Sequence, residues 1–222
     1  MDVDVRFLLH TIVAAAAAVP RSLGIAFAAI GIGLILGFPI ALTRFYRVRA
    51  LAAFFKLAVT VVKGLPVILL YLAFFTIMAK RPGVPAEFSA VMAISIGATV
   101  SISEIFRGAL ESIEKSQFDA AASIGHSPAA AFIRIIAPQL IPAALPVMSG
   151  VVIQTIKAVP VAVIIGVTDI LNTAISEAVI NYRYLEAYFA AAIIFWAIFI
   201  AVEQLFALIE KRFQKKMRKA VV

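Results

Sequence analysis

The sequence predicts an all-α integral membrane protein of five transmembrane helices, and three observations carry that prediction. The chain is 64% hydrophobic and 14% charged over 222 residues, where soluble domains carry about a quarter charged residues, and its mean hydropathy is +1.06. No water-soluble arrangement of one or two domains buries so many apolar side chains. Ser22 to Thr43 is free of charge and has the length, on the order of 20 residues, that a bilayer core of about 30 Å requires. Basic residues also fall unevenly on alternate connecting segments, as the positive-inside bias demands. The same composition excludes disordered, collagen-like and nucleic-acid-binding classes. The net charge is +8, but the tail after Glu210 alone carries Lys211, Arg212, Lys215, Lys216, Arg218 and Lys219 with no acid. A basic cluster beside a hydrophobic span is expected from inner-leaflet electrostatics. The absence of cysteine removes disulfides, thiolate metal sites and cysteine nucleophiles.

In chain order, residues 1–20 read as an interfacial segment. The apolar run from Ile12 to Val19 is too short to span, and Asp2 and Asp4 against Arg6 oppose the positive charge a signal peptide wants. The first span is 22–43, with Gly33 and Gly37 making a face for close helix contact. This glycine series lies in an apolar helix with no strand before it, so it is no dinucleotide loop. The second span is 57–79, interrupted by Lys63, Gly64 and Pro66; the third is 86–106. The fourth, 139–167, is interrupted by Lys157, with Pro138, Pro142 and Pro146 at its start and Pro160 near its end. The fifth is 186–208, followed by a basic tail over 210–222, and the whole of 1–222 forms one domain. Prolines in lipid persist where protein or a wet cavity satisfies the carbonyls they free, so these breaks mark candidate pathway walls.

With the N-terminus outside, the inner segments hold Arg44, Arg47, Arg49, Lys56, Arg107, Lys115, Arg134 and the six tail residues; the outer ones hold Arg6, Arg21, Lys80, Arg81 and Arg183. That asymmetry predicts an outside N-terminus and a cytoplasmic tail. A sixth span over residues 7–19 would reverse the fit.

The longest inner segment, 111–138, reads as helix, turn, helix. Gly125 can end a helix in the left-handed region, and Ser127 followed by Pro128 supplies an N-cap and first-turn proline for the next. Phe118, Ala121, Ala122 and Gly125 fall on one face at helical spacing. That face suits either a partner groove or the membrane surface.

Asp119-Ala120-Ala121-x-x-x-Gly125, then nine residues, then Ile135-x-Ala137-Pro138 resembles the EAA loop of binding-protein-dependent ABC importer permeases. Glu104-Ile-Phe-Arg-Gly-Ala-Leu110, Ser112-Ile113, Gln117, Pro138-Gln139, the Lys157 segment and Glu210-Lys-Arg212 are similar to the polar amino-acid permeases, which serve histidine, glutamine, arginine, cystine and opines. Lys63-Gly64-Leu65-Pro66 resembles their Arg-Gly-Thr-Pro stretch, and the resemblance runs from about Pro20 to Arg212. It implies a type I ABC importer transmembrane-domain fold in a bacterial inner membrane. It also implies a second permease subunit, of the same or a sister chain, an ABC ATPase dimer that holds ATP and Mg, and an extracytoplasmic solute-binding protein. The coupling helix would begin near Gln117 and meet the ATPase through Asp119, Ala120, Ala121 and Gly125. No glycine here precedes a lysine, so the chain has no Gly-x-x-x-x-Gly-Lys phosphate loop and is read as a permease without a cofactor of its own, not an enzyme. Beyond the Lys63-Gly64-Leu65-Pro66 stretch the sequence departs from the family pattern where Asp119 stands for Glu, Ala137 for Leu, Ser101 for a common tyrosine, and Ala158 for the acid that usually follows Lys157.

A charge within the membrane costs at least about 2.5 kcal/mol on insertion scales, so Lys63 and Lys157 are candidate substrate contacts. Lys63 would offer an ammonium to an amino-acid carboxylate or pair with a carbonyl freed by Pro66; Lys157 would bind substrate, snorkel, or bond carbonyls near Pro160. Glu104 is a candidate as well, or pairs with Arg107 one turn on. Thr99, Ser101, Ser103, Gln154 and Thr155 are neutral candidates, alternatively interhelical hydrogen bonders. His10 and His126 have no acid or cysteine at ligand spacing, and no metal site is expected. Asp169 to Tyr184 reads as a surface facing the binding protein, as a gate, or as a plain connecting loop. A secondary transporter or channel is the second reading; it would need the broken helices but no docking loop.

Overall fold

A computed structural model describes residues 3–78, 81 and 83–220. Lys80 and the outermost residues of the N-terminal segment and basic tail lie outside the described residues. The described chain is helical without strands.

The first helix, α1 (Val5–Ala16), starts where Asp4 accepts hydrogen bonds from the amides of Arg6 and Phe7 at 3.0 and 3.1 Å. The Phe7 amide holds the Asp4 carboxyl below its ordinary range. At 12 residues, α1 is too short to span, as the interfacial reading expects. Its buried Thr11 and Ala15 pack with α9 (Ile170–Ala178) and α10 (Tyr184–Ala220). Arg183 ties this end together: it pairs with Asp4 at 3.3 Å and Glu186 at 3.2 Å and lies 5.9 Å from the Phe7 ring. His10 does find an acid, Glu177 at 3.5 Å, on a helix far off in sequence.

Among the described residues, four segments are long and apolar enough to cross a membrane: α2 (Val19–Phe45), α5 (Ala86–Ser112), the stretch Pro128–Ile165 and Tyr184–Phe213 of α10. The fifth, expected as one span over 57–79, is instead a broken pair, α3 (Arg49–Lys63) and α4 (Val67–Met78), bent by 104°. The bend falls where the sequence places its break. Gly64 and Leu65 donate to the carbonyls of Val61 and Val62 in a tightened last turn, and Pro66 has no N–H with which to continue it.

α2 and α5 form the central pair. Gly33 and Gly37 lie against α5 so closely that a Cβ on Gly37 would stand 2.8 Å from the Thr99 carbonyl oxygen and one on Gly33 3.0 Å from the Ala98 Cβ. The small-residue face therefore serves packing, which in lipid rests on close backbone approach.

After the short α6 (Lys115–Ser123) and α7 (Pro128–Ala131), a π-turn over Phe132–Ile136 leads into α8 (Ala137–Ala158). The prolines do not break α8, contrary to the expected interruption at its start; the helix runs through Pro142 and Pro146. Their spacing explains this. Each proline strips the bond to the carbonyl four residues back, and those carbonyls, on Pro138 and Pro142, stack on one face instead of spreading round the helix. The true interruption follows Lys157: a 3-10 helix over Val159–Ile165 with Pro160 in its first turn, ended by Gly166 at φ +82°.

Candidate functional site

A cavity of about 400 Å³ opens between α4, α5 and α8, within the size range of small-molecule sites. Val67, Ile94, Val147 and Val151 supply apolar wall, and Ser101 and Gln154 are the exposed polar side chains in it. Thr155, also on the wall, turns its hydroxyl to the Val151 carbonyl at 2.7 Å. Gly97 and Gly150 line the cavity too, and a Cβ on either meets nothing within 4 Å, so their missing side chains are part of the open space. Buried Tyr71 on α4 donates to the Ala158 carbonyl at 2.8 Å, which fixes α4 against the end of α8.

Of the predicted contacts, Ser101, Gln154 and Thr155 are brought together here, Thr155 with its hydroxyl turned to its own helix, and the others are not. Thr99 is 8% exposed and does not line the cavity. Lys157 lies on the flank toward α10, its ammonium 5.8 Å from the centre of the Phe199 ring. Lys63 is already paired: its ammonium donates to Glu104 at 2.9 Å, and Glu104 also accepts from Arg44 and lies 3.6 Å from Arg107. Neither the lone carbonyl partner nor the free ammonium expected for Lys63 is observed. Glu104 pairs with Arg107 as expected, and Arg107 reaches Glu111 at 2.6 Å. These side chains form a charged knot where α2, α3 and α5 meet, on the α6 side of the cavity.

The α6 turn follows the sequence reading closely. Gly125 sits at φ +80°, its amide donates to Ala122 at 3.0 Å and the His126 amide to Ala121 at 3.1 Å, as in a Schellman stop. Ser127 then caps α7 by accepting from the Ala130 amide at 3.3 Å. The expected outward face is partly inverted, however. Ala121 is 1% exposed, and Phe118 packs on Phe45 with ring centres 6.0 Å apart, so both face the chain itself; Asp119, Ala120, Ala122 and Gly125 are exposed. Phe118 is the largest apolar group on α6 and its side goes inward, against Leu110 and Ile136. Gln117 accepts from the Gln139 amide at 3.3 Å, and Gln139 also donates to the Ile135 carbonyl at 2.9 Å. One side-chain bridge thus ties α6 to α8, whose far end walls the cavity.

Residues 29–215 match the family described as binding-protein-dependent transport system inner membrane component. The chain belongs to this family. That match takes in the cavity, the charged knot and α6 together, and members are the membrane components of transport systems, not the ATPase. The chain is 34% identical over 179 residues to a probable amino-acid ABC transporter permease protein, YckA, of Bacillus subtilis (strain 168), covering 78% of this chain and 77% of that one. It is 29% identical over 197 residues to the L-cystine transport system permease protein TcyL of the same organism, covering 85% and 82%. Among solved structures, one described as an amino acid ABC transporter with histidines superimposes with a TM-score of 0.85 at 25% identity, covering 96% of this chain and all of that one. The fold is thus that of a type I ABC importer transmembrane domain.

Sequence reasoning missed Asp169. It caps α9 by accepting from the Asn172 amide at 2.8 Å, is fully buried, and its second carboxylate oxygen has no hydrogen-bond partner among the described residues. Burial pushes its carboxyl above the ordinary range, and the Asn172 amide offsets part of that. The only signal in the sequence is an Asp before a helix. The 169–184 segment is not a plain loop, since Ile170, Ala174 and Ala178 of α9 are buried against α1 and α10. Among the described residues no cluster of metal-ligating side chains occurs.

Proposed function

We propose that this chain is the permease subunit of an ATP-driven importer of amino acids or related compounds, in which the cavity between α4, α5 and α8 contacts the solute. The supporting observation is mechanical. α8 is one unbroken helix of 22 residues, about 33 Å at 1.5 Å per residue, with Gln139 bonded to α6 at one end and Gln154 in the cavity at the other. A push on α6 is thereby delivered to the cavity wall. The exposed Asp119, Ala120, Ala122 and Gly125 are the surface through which a separate ATPase dimer, carrying ATP and Mg, would act. A secondary transporter has no use for such a surface.

The N-terminus and α9 lie outside and the basic tail in the cytoplasm, the arrangement favoured by the charge asymmetry. A second permease subunit completes the pathway, because one copy leaves the cavity open on a side, and a solute-binding protein delivers at the α9 end. Ala158 lines the cavity at the position where the resembling permeases carry an acid. Without that acid the wall offers hydroxyl and amide groups, which suit zwitterionic amino acids better than strictly cationic ones. The test is reconstitution with ATPase and binding protein in vesicles. Nucleotide-dependent uptake of a neutral amino acid supports the reading; uptake confined to arginine and lysine overturns the charge argument, and uptake without ATPase overturns the importer.

A further inference from the structure

Beside the charged knot, a second groove of about 510 Å³ runs between the α2–α3 turn and the last turns of α5. Its wall carries Arg44, Arg47, Lys56 and Arg107 against one acid, Glu111, while Ala52 and Ala53 keep its floor low. Arg44 and Arg107 are held by Glu104, and Arg107 also by Glu111. Arg47 and Lys56 are exposed and form no ion pair among the described residues. The groove therefore presents uncompensated positive charge on a prearranged scaffold. Arg47 is placed by the turn itself, in the left-handed region at φ +52°.

The helix that builds the groove has a second face. Leu51, Phe54, Leu57 and Val61 of α3 are 53%, 64%, 66% and 52% exposed, spaced as one stripe along the helix. Ala52, Ala53 and Lys56 form the other side, turned to the groove. α3 bends from α4 by 104° and meets the charged knot through Lys63, while its stripe of Leu51, Phe54, Leu57 and Val61 is left uncovered by the described chain. An amphipathic helix at a membrane boundary sinks its apolar face into the acyl region and holds its basic face among headgroups.

We propose that this groove binds the headgroup of an anionic phospholipid, the phosphate between Arg47 and Lys56 and the acyl chains along Leu51, Phe54 and Leu57. The groove fits any phosphate by charge alone; the apolar stripe on the opposite side of the same helix is what assigns it to lipid. The inference needs the membrane fold and not the identity of the transported solute.

The experiment is native mass spectrometry of the full chain released from detergent, with phosphatidylglycerol and phosphatidylcholine offered in equal amounts. The wild type is expected to retain phosphatidylglycerol preferentially. Arg47→Gln with Lys56→Gln should reduce that retention by on the order of fivefold per charge removed. Arg47→Lys with Lys56→Arg, which keeps the charge, should preserve it, and this separates charge from misfolding. An excess of inorganic phosphate should leave the lipid bound. Equal retention of the two lipids, undiminished phosphatidylglycerol on the neutral variant, or complete displacement by phosphate would each overturn the assignment.

Discussion

Replacing Gly37 by alanine sets helix propensity against packing, and the structure decides which wins. In a helix interior alanine is favoured over glycine by about 1 kcal/mol. The added Cβ, however, would stand 2.8 Å from the Thr99 carbonyl oxygen, 3.1 Å from Ile102 and 3.1 Å from the Ser103 amide nitrogen. The first and third of these are backbone atoms of α5, so relief requires separating two helices along their closest contact. Overpacking of this kind costs about 1–3 kcal/mol, leaving a net loss of about 0–2 kcal/mol. Gly97→Ala is the matched control, because its Cβ meets nothing within 4 Å. Propensity cancels between the two variants, so Gly37→Ala should be less stable than Gly97→Ala by about 1–3 kcal/mol. Unfolding in mixed micelles with a rising fraction of sodium dodecyl sulfate reads the difference directly. If both variants unfold at the same detergent fraction, α2 and α5 are not in contact as described and the packing argument fails.

Other expectations concern the cavity, the knot and the buried acid. Gly97→Phe should fill the cavity and abolish uptake with little loss of stability, and Gln154→Ala should weaken uptake without releasing the ATPase; a Gly97→Phe transporter with normal flux would show that solute passes elsewhere. Glu104→Gln leaves Arg44, Lys63 and Arg107 without their shared carboxylate and should cost about 1.5–3 kcal/mol, read in the same micelle titration. Asp169 has a carboxyl raised by burial, so the folded state favours its protonated form; the stability it contributes is full below the ordinary carboxylate range of about pH 4 and is lost as pH rises through the raised value. Asp169→Asn keeps the Asn172 cap and should flatten that dependence, so identical pH profiles for wild type and variant would contradict it. Gln139→Ala removes the bridge to Gln117 and should leave ATP turnover less responsive to solute while sparing subunit assembly, as co-purification would show.

What the sequence made legible was local or compositional. Gly125, Ser127 and Pro128 form their stop and start from neighbours within a few residues, so their chemistry could be read directly. The break at Lys63 to Pro66 was legible too, but not its angle, because a missing N–H permits a bend without directing it. The knot was not legible: Glu104 meets Lys63 and Arg44 across separations of 41 and 60 residues, and only the α2–α5 packing brings them together. Nor could the sequence tell Ser101 from Thr99. Both are small polar residues on α5, yet a rotation of about 200° between them sends only Ser101 to the cavity wall. The inward turn of Ala121 had the same cause, since a short helix rich in alanine gives no sign of which side Phe118 will bury.

The central claim, that α6 is a cytoplasmic docking surface for an ATPase, is tested most directly by one accessible thiol. The chain has no cysteine, so Ala120→Cys provides a single reporter on an exposed position of α6. In sealed cells a membrane-impermeant thiol reagent should leave it unmodified, in inverted vesicles it should react, and added ATPase should protect it. Modification in sealed cells, or reaction in inverted vesicles that the ATPase does not slow, would contradict the account.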